Sequence, residues 1–185
     1  MKQIILLFIL FYANIAIAIE ISPYQIIEKI SDKVEIRQYD KIILATANIS
    51  DDEEGDSAFR SLFKFISGEN NQKKKIKMTA PVFREEIAGN MNMSFVMPAK
   101  FNEKNIPQPN NPKIKINLIQ NQKFIAIKFS GFASDNNFKE NQEILEQIIK
   151  KKQINANLDL PIRAYYNRPW SLPFLKRNEL LFKLY

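Results

Sequence analysis

The chain contains neither cysteine nor histidine. Without cysteine there is no disulfide framework, no thiol nucleophile and no thiolate metal ligand. Without histidine there is no Ser-His-Asp or Cys-His relay and no zinc centre built on imidazole. Glycine is scarce, at 4 of 185 residues, and proline numbers 9, so collagen-like and low-complexity classes fall away. What remains is a foldable composition, 45% hydrophobic and 25% charged, in a length that suits one domain. Any chemistry must come from Asp, Glu, Lys, Arg, Tyr, Ser or Thr, or from a bound cofactor.

The first 18 residues differ in kind from the rest. Lys2 opens the chain, Ile4 to Phe11 is an unbroken apolar run, and Ala16-Ile17-Ala18 places small residues ahead of the first acid, Glu20. This three-part layout predicts a signal peptide over 1–18, cleaved after Ala18, and a single domain over 19–185. An uncleaved anchor is the alternative, but the apolar stretch to Ile19 contains Asn14 and spans about 16 residues, against the roughly 20 that cross a bilayer. The expected product is exported, periplasmic or extracellular, with no stable membrane span. Its formal charge is +6 once Lys2 is removed from the +7 of the whole chain. Outside the cytoplasm nucleic acid is not an expected partner. The excess is concentrated in Lys73, Lys74, Lys75 and Lys77 and in Lys150, Lys151 and Lys152. A solvated loop and the last turn of a helix are the expected places for these runs, where in the second case cations oppose the macrodipole. An acidic lipid or a ligand carboxylate is the alternative reading.

Periodicity organises the remainder. Val34-Glu35-Ile36 and Ile42 to Ile49 read as strands, followed by a period of three and four in Ala58, Phe59, Leu62, Phe63 and Ile66, which predicts a helix ending at Ser67-Gly68. Acids over Asp51 to Asp56 precede it, at the end of a helix that favours them. Two more strands, Ile76 to Phe83 and Met91 to Met97, flank the turn-prone Ala88-Gly89-Asn90. After a proline-rich connector the order returns: strands Ile114 to Ile119 and Phe124 to Phe129, a helix from Ser134 or Asp135 with the stripe Phe138, Gln142, Leu145, Ile148 and Ile149, then strands Ile162 to Tyr166 and Leu180 to Tyr185. The two copies, about 24–97 and 114–185, lie roughly 80 residues apart, an interval that fits an internal duplication rather than a solenoid. The fold class expected is α+β: a duplicated strand-strand-helix-strand-strand unit forming a twisted, barrel-like antiparallel sheet flanked by two helices. A groove between helix and sheet rim is where an apolar ligand is expected.

Three segments are more specific than periodicity. They are Ala58-Phe59-Arg60-Ser61-Leu62-Phe63-Lys64-Phe65-Ile66-Ser67-Gly68 followed by Ile76-Lys77-Met78-Thr79-Ala80-Pro81-Val82; Ser94-Phe95-Val96-Met97-Pro98 with Pro107-Gln108-Pro109; and the run Tyr166-Asn167-Arg168-Pro169-Trp170-Ser171-Leu172-Pro173-Phe174-Leu175-Lys176-Arg177-Asn178-Glu179. With Tyr24-Gln25-Ile26-Ile27-Glu28 and Glu35-Ile36-Arg37-Gln38-Tyr39, their order and spacing resemble the SOUL haem-binding family from about Tyr24 to Tyr185. The resemblance implies a duplicated β-barrel with two helices that binds haem or another tetrapyrrole. Some members are thought to ligate the iron through His, a mode this chain lacks; others hold the macrocycle by an apolar patch on the first helix and basic groups for the propionates. The matching positions are Phe63 and Lys64. Where haem binders of the family carry an Arg eight residues before that Lys, the chain has Asp56, and Arg60, one turn along, takes the cationic place.

Arg60 and Lys64 are four apart, so they share a helix face and can both reach carboxylates. The alternative is an ordinary solvated face with Asp56 and Arg60 as an i,i+4 pair. If the iron is ligated, the candidates are Met78, Met91, Met93, Met97, Tyr24, Tyr39, Tyr165, Tyr166 and Tyr185; Met91, Met93 and Met97 alternate as one strand face, and Met78 leads because it opens Met78-Thr79-Ala80-Pro81, where Pro81 interrupts pairing. No metal site of the protein's own is expected. The expected function is therefore exported haem or tetrapyrrole binding, and the chain is not expected to be an enzyme. The alternative is a module on the same fold that binds another apolar ligand, a lipid or a protein. Carboxylate catalysis would rest on Glu85 and Glu86 beside Arg84, or on Glu28 and Glu35, but adjacent acids on a strand face opposite sides. The Trp and Phe of Pro169-Trp170-Ser171-Leu172-Pro173-Phe174 are expected to cap the barrel, with a docking surface as the alternative. Arg177-Asn178-Glu179 is expected to pin that loop to the last strand.

Overall fold

The computed structural model describes residues 19–49, 57–87 and 89–185. The predicted leader and Asp51 to Asp56 lie outside the described residues. In chain order the elements are β1 (Glu20–Ile21), β2 (Gln25–Lys29), β3 (Val34–Ile49), α1 (Ser57–Ser67), β4 (Thr79–Ala80), β5 (Val82–Ile87), β6 (Asn90–Val96), β7 (Ile114–Phe129), α2 (Asp135–Lys152), β8 (Ile162–Tyr165), a 3-10 turn at Pro173–Leu175, and β9 (Asn178–Lys183). Strands β3, β6, β5, β8, β9 and β7 follow one another antiparallel, and pairing of β3 with β7 closes the ring. Strand β2 adds to the first half of β3, and β1 pairs with β4 in a short parallel ladder. Closure removes the exposed edges that an open sheet of this size would carry.

The duplication is visible in the element order, β3-α1-β5-β6 and then β7-α2-β8-β9. It is visible in the register too: Val34 pairs with Ile127 and Ala47 with Ile114, pairings that exchange under a shift of about 80 residues. In each copy the first two expected strands are one continuous strand of 16 residues. Neither Asp40 nor Asn121 breaks the chain; both strands run through, with Asn121 in the left-handed region at φ 49°. The alternation slips there instead. Tyr39 and, past the slip, Ile42 and Leu44 face the barrel interior, while Val34 and Ile36 face one helix cluster and Ile43, Ala45 and Ala47 the other. One long strand thereby presents apolar residues to both helices and to the interior, a task that strict alternation would forbid.

Three apolar clusters result. Ala58, Leu62, Phe65 and Ile66 of α1 pack on Ile43, Ala45, Met93 and Phe95. Phe138, Leu145 and Ile149 of α2 pack on Ile125, Ile127, Leu180 and Phe182. The barrel interior holds Tyr39, Leu44, Phe83, Phe124 and Leu181. The α2 stripe follows the expected residues, and α2 is closed at both ends: Ser134 accepts from the Asn137 N–H, and Gln153, at φ 55°, turns back to Ile149 and Lys150. Lys150, Lys151 and Lys152 occupy its last turn as expected.

The α1 stripe is corrected. Phe65 is buried, while Phe59 and Phe63 face outward. Six of the eleven residues of α1 are apolar, more than one face can bury, so packing against β3 and β6 selects Phe65 and leaves a second apolar ridge outside.

Candidate functional site

The outward ridge of α1 begins with sequence spacing: Phe59 and Phe63 are one turn apart, so their side chains meet on the helix surface. The rings stack, with centroids 6.1 Å apart and planes within 15°. Phe59 also sets its edge on Phe95, 5.6 Å away, which fixes the inner end of the pair to the barrel. Phe63 remains 50% exposed and Phe59 38%. Arg60 and Lys64 are both exposed on the same helix. The structure thus places three of the expected residues, Phe63, Lys64 and Arg60, together on α1, as an open shelf rather than a closed slot. Phe59, read from sequence as core, is the site residue that periodicity missed; the surplus of apolar residues in α1 was its only signal.

The basic loop after α1 is tightly held. Gly68 turns the chain at φ 122°, and the Glu69 N–H returns to the Lys64 carbonyl at 3.0 Å. Asn70, buried, donates to the carbonyls of Phe65 and Lys74 at 3.0 and 2.8 Å and accepts from the backbone of Gln72 and Lys74. The Ile76 N–H then bonds to the Ile66 carbonyl at 2.8 Å. Lys73, Lys74, Lys75 and Lys77, all exposed, are therefore carried on backbone docked to the C-terminal turn of α1, where cations are favoured. Met78 follows, also exposed, whereas Met93 and Met97 are core residues. Asp56 lies outside the described residues.

A buried polar cluster inside the barrel is foreshadowed in the sequence only by Arg177 and Glu179. Arg37 is wholly buried, and its Nη2 donates to Glu179 Oε2 at 2.6 Å. The same oxygen accepts from the Tyr166 hydroxyl at 2.9 Å, while Glu179 Oε1 accepts from Arg177 Nε at 2.8 Å. Arg177 also donates to the Tyr24 hydroxyl, and the Tyr24 ring covers the Arg37 guanidinium at 4.2 Å. Burial works against the charge of Arg37, but Tyr39 and the Glu179 carboxylate outweigh it and hold its pKa above the ordinary guanidinium value. Burial pushes Tyr39 up to about 12 and raises Tyr166 as well. Arg177 and Glu179 do pin the last loop, with Arg177 N–H on Asn167 Oδ1 at 2.6 Å and Asn178 Nδ2 on the Gly131 carbonyl. The cluster ties β3 to β9, and both carboxylate oxygens of Glu179 are paired, while the buried Arg37 Nε is left without a hydrogen-bond partner.

Among the described residues, cavities lie elsewhere, and the three described next have no α1 residue in their lining. One of about 190 Å³ sits among Ser22, Ile43, Thr79, Met97 and Phe101. One of about 260 Å³ lies beside Lys29, Lys33, Glu35, Lys128 and Arg177. A small one of about 40 Å³ opens on Tyr39, Phe83, Phe124 and Glu85. Burial raises the pKa of Glu85 there. Its neighbour Glu86 is exposed on the opposite face, so the two do not converge on a common substrate. Among the described residues no group of three or more acidic side chains can hold a metal ion, and no helix is long and apolar enough to cross a membrane.

The Trp170 segment is a second correction. Trp170 is 76% exposed and Phe174 71%, so neither caps the barrel. The loop is instead held to the sheet by its backbone and by Arg177, leaving its apolar side chains in solvent.

A family model described as SOUL heme-binding protein matches residues 19–183. Comparison with curated proteins gave no match. Among solved structures, an uncharacterised conserved protein from Listeria innocua superposes with a TM-score of 0.62 at 11% identity, over 81% of this chain and 91% of its own. A second Listeria innocua protein, described as a hydrolase, gives 0.60 at 11% identity over 83% and 92%. The C-terminal domain of EcmrR gives 0.57 at 14% identity over 88% and 98%. At these identities the likenesses speak for the fold alone.

Proposed function

The chain belongs to the SOUL haem-binding family, and from that premise we propose that it binds haem or a related tetrapyrrole on the outer ridge of α1, without a His ligand. The observation that carries this reading is the stacked, partly exposed pair Phe59 and Phe63, a flat apolar shelf on the outer face of α1 beside its two charged residues, Arg60 and Lys64. A macrocycle laid on the shelf removes apolar area from water at roughly 25 cal/mol per Å², enough to hold it without an iron bond. Arg60 and Lys64 lie along one side of the pair and supply charge-assisted hydrogen bonds to two propionates. The docked lysine loop raises the local positive potential. Met78 is the exposed thioether nearest in sequence to this loop and is the proposed iron contact if one forms.

The leader-like sequence of residues 1–18 supports a reading in which this binding serves transport, buffering or scavenging outside the cytoplasm, rather than catalysis. If haem is simply bound, titration of the protein with haemin gives a shifted Soret band that saturates, without the spectrum of a bis-His complex. Iron-free protoporphyrin binds within a small factor of haemin if packing rather than metal holds the ring. A flat titration to tens of micromolar removes the reading and leaves the module that binds another apolar ligand.

A further inference from the structure

We infer that the loop 166–177, together with Phe132, is a docking surface for an anionic lipid bilayer. Trp170, Leu172, Phe174, Leu175 and Phe132 are all more than half exposed. They form one patch because the two loops are stitched together: the Gly131 N–H bonds to the Pro173 carbonyl at 3.0 Å, beside Phe132 on one side and Leu172 and Phe174 on the other. The patch is rigid. Asn137 Nδ2 holds the carbonyls of Ser130 and Phe132, Ser171 N–H closes on Arg168, Leu175 N–H on Leu172, and Lys176 Nζ ties back to the Pro169 carbonyl at 2.8 Å. Holding five large apolar groups in water at fixed positions is costly unless something covers them.

Charge selects the occupant. Between Asp159 and Glu179 the chain carries no acid, and with Arg163 paired to Asp135 and Arg177 to Glu179 the cations left beside the patch are Arg168 and Lys176. Asp135, the acid nearest the Phe132 loop in sequence, is already bonded to Arg163 at 2.5 Å. Arg168 lies 5.8 Å from the Trp170 ring, so cation and aromatic face the same surface. The patch projects from two adjoining loops instead of lining a groove. Aromatic and leucine side chains that project beyond a rim of Arg and Lys match the headgroup boundary of a bilayer, where rings enter the acyl region and cations stay at the phosphates. A protein partner would need a cavity complementary to the loop, and is the competing outcome of the test.

Trp170 is the sole tryptophan of the chain, so its fluorescence reads this surface and no other. The full chain is mixed with vesicles of phosphatidylcholine containing about 30% phosphatidylglycerol, a negative surface that attracts basic segments. Expected are a blue shift of Trp170 emission, protection from an aqueous quencher, and weaker binding to pure phosphatidylcholine. Phe174→Ala lowers the apparent affinity about tenfold and Arg168→Glu with Lys176→Glu abolishes the preference for anionic vesicles, with circular dichroism unchanged because all three side chains lie in the loop. Sedimentation with vesicles without a Trp170 shift, as attachment through residues 1–18 would give, overturns the inference. So do equal binding to neutral vesicles and a shift seen only with a soluble protein. Haemin affinity is independent of all these results.

Discussion

The two helices occupy equivalent places in the duplicated unit, yet they meet solvent differently. Helix α2 runs 18 residues, is capped at both ends, and buries Phe138, Leu145 and Ile149, while its outer face is Glu, Lys and Gln interrupted by Ile144 alone. Helix α1 runs 11 residues, buries Ala58, Leu62, Phe65 and Ile66, and still carries Phe59 and Phe63 outward. One copy of the unit has a helix whose apolar content matches what the sheet can cover. The other has an excess, kept as an ordered stack beside two cations on the same helix. The excess contributes little to folding, and this is why it locates the proposed site.

The sharpest way to break the comparison is to remove one aromatic from each helix. Phe138 is fully buried between Phe129 and Tyr165, so Phe138→Ala costs about 3–5 kcal/mol by the transfer and cavity terms together. Urea unfolding measures this directly. Glu179→Gln has a similar cost, about 3–5 kcal/mol, because it removes the close anionic partner of the buried Arg37 and leaves only the longer 3.5 Å ion pair with Glu35. By contrast Phe63→Ala changes stability by no more than about 0.5 kcal/mol, as exposed substitutions do, while weakening haemin about tenfold. Equal destabilisation by Phe63→Ala and Phe138→Ala would show that α1 carries no surplus.

A smaller effect comes from charge. Lys64→Glu places a carboxylate beside a propionate and weakens haemin severalfold at low salt, less at high salt as screening sets in. A haemin titration at two ionic strengths checks it. The smallest effect separates the ridge from the Glu85 cavity. The raised pKa of Glu85 means the folded state favours its neutral form, so its contribution to stability is fully present at acidic pH and is lost as pH rises through the folded value. Glu85→Gln therefore stabilises the protein at neutral pH, has no effect at pH below the ordinary carboxyl range, and leaves haemin affinity unchanged. Thermal melts across that range report it.

The fold was largely legible in the sequence because both helices keep a 3.6-residue period and the order of elements repeats. Ser134 and the lysines at 150–152 mark the ends of α2 by local chemistry alone. What was not legible depends on closure. Arg37 alternates with Ile36 and reads as a solvent-facing charge; only a sheet that closes on itself brings Glu179, 142 positions away, to its guanidinium. The slip at Asp40 and Asn121 is also tertiary, since a polar pair in a strand reads as a turn until both neighbouring strands are seen to pair through it. In α1 the residues were right and the rotation was not: with six apolar positions available, the sheet decides which four are buried. The sequence of the loop at 166–177 suggests a cap because exposed Trp and Phe are costly, and its backbone tethers are invisible without the fold.

The account stands on the shelf made by Phe59 and Phe63. The most direct measurement is a Soret titration of the Phe59→Ala, Phe63→Ala double variant beside the parent, run in parallel with haemin and iron-free protoporphyrin. A loss of about a hundredfold for both ligands, with the unfolding free energy kept within about 0.5 kcal/mol once the Phe59 contact to Phe95 is allowed for, is the predicted result. Unchanged affinity for both ligands in the double variant would contradict it.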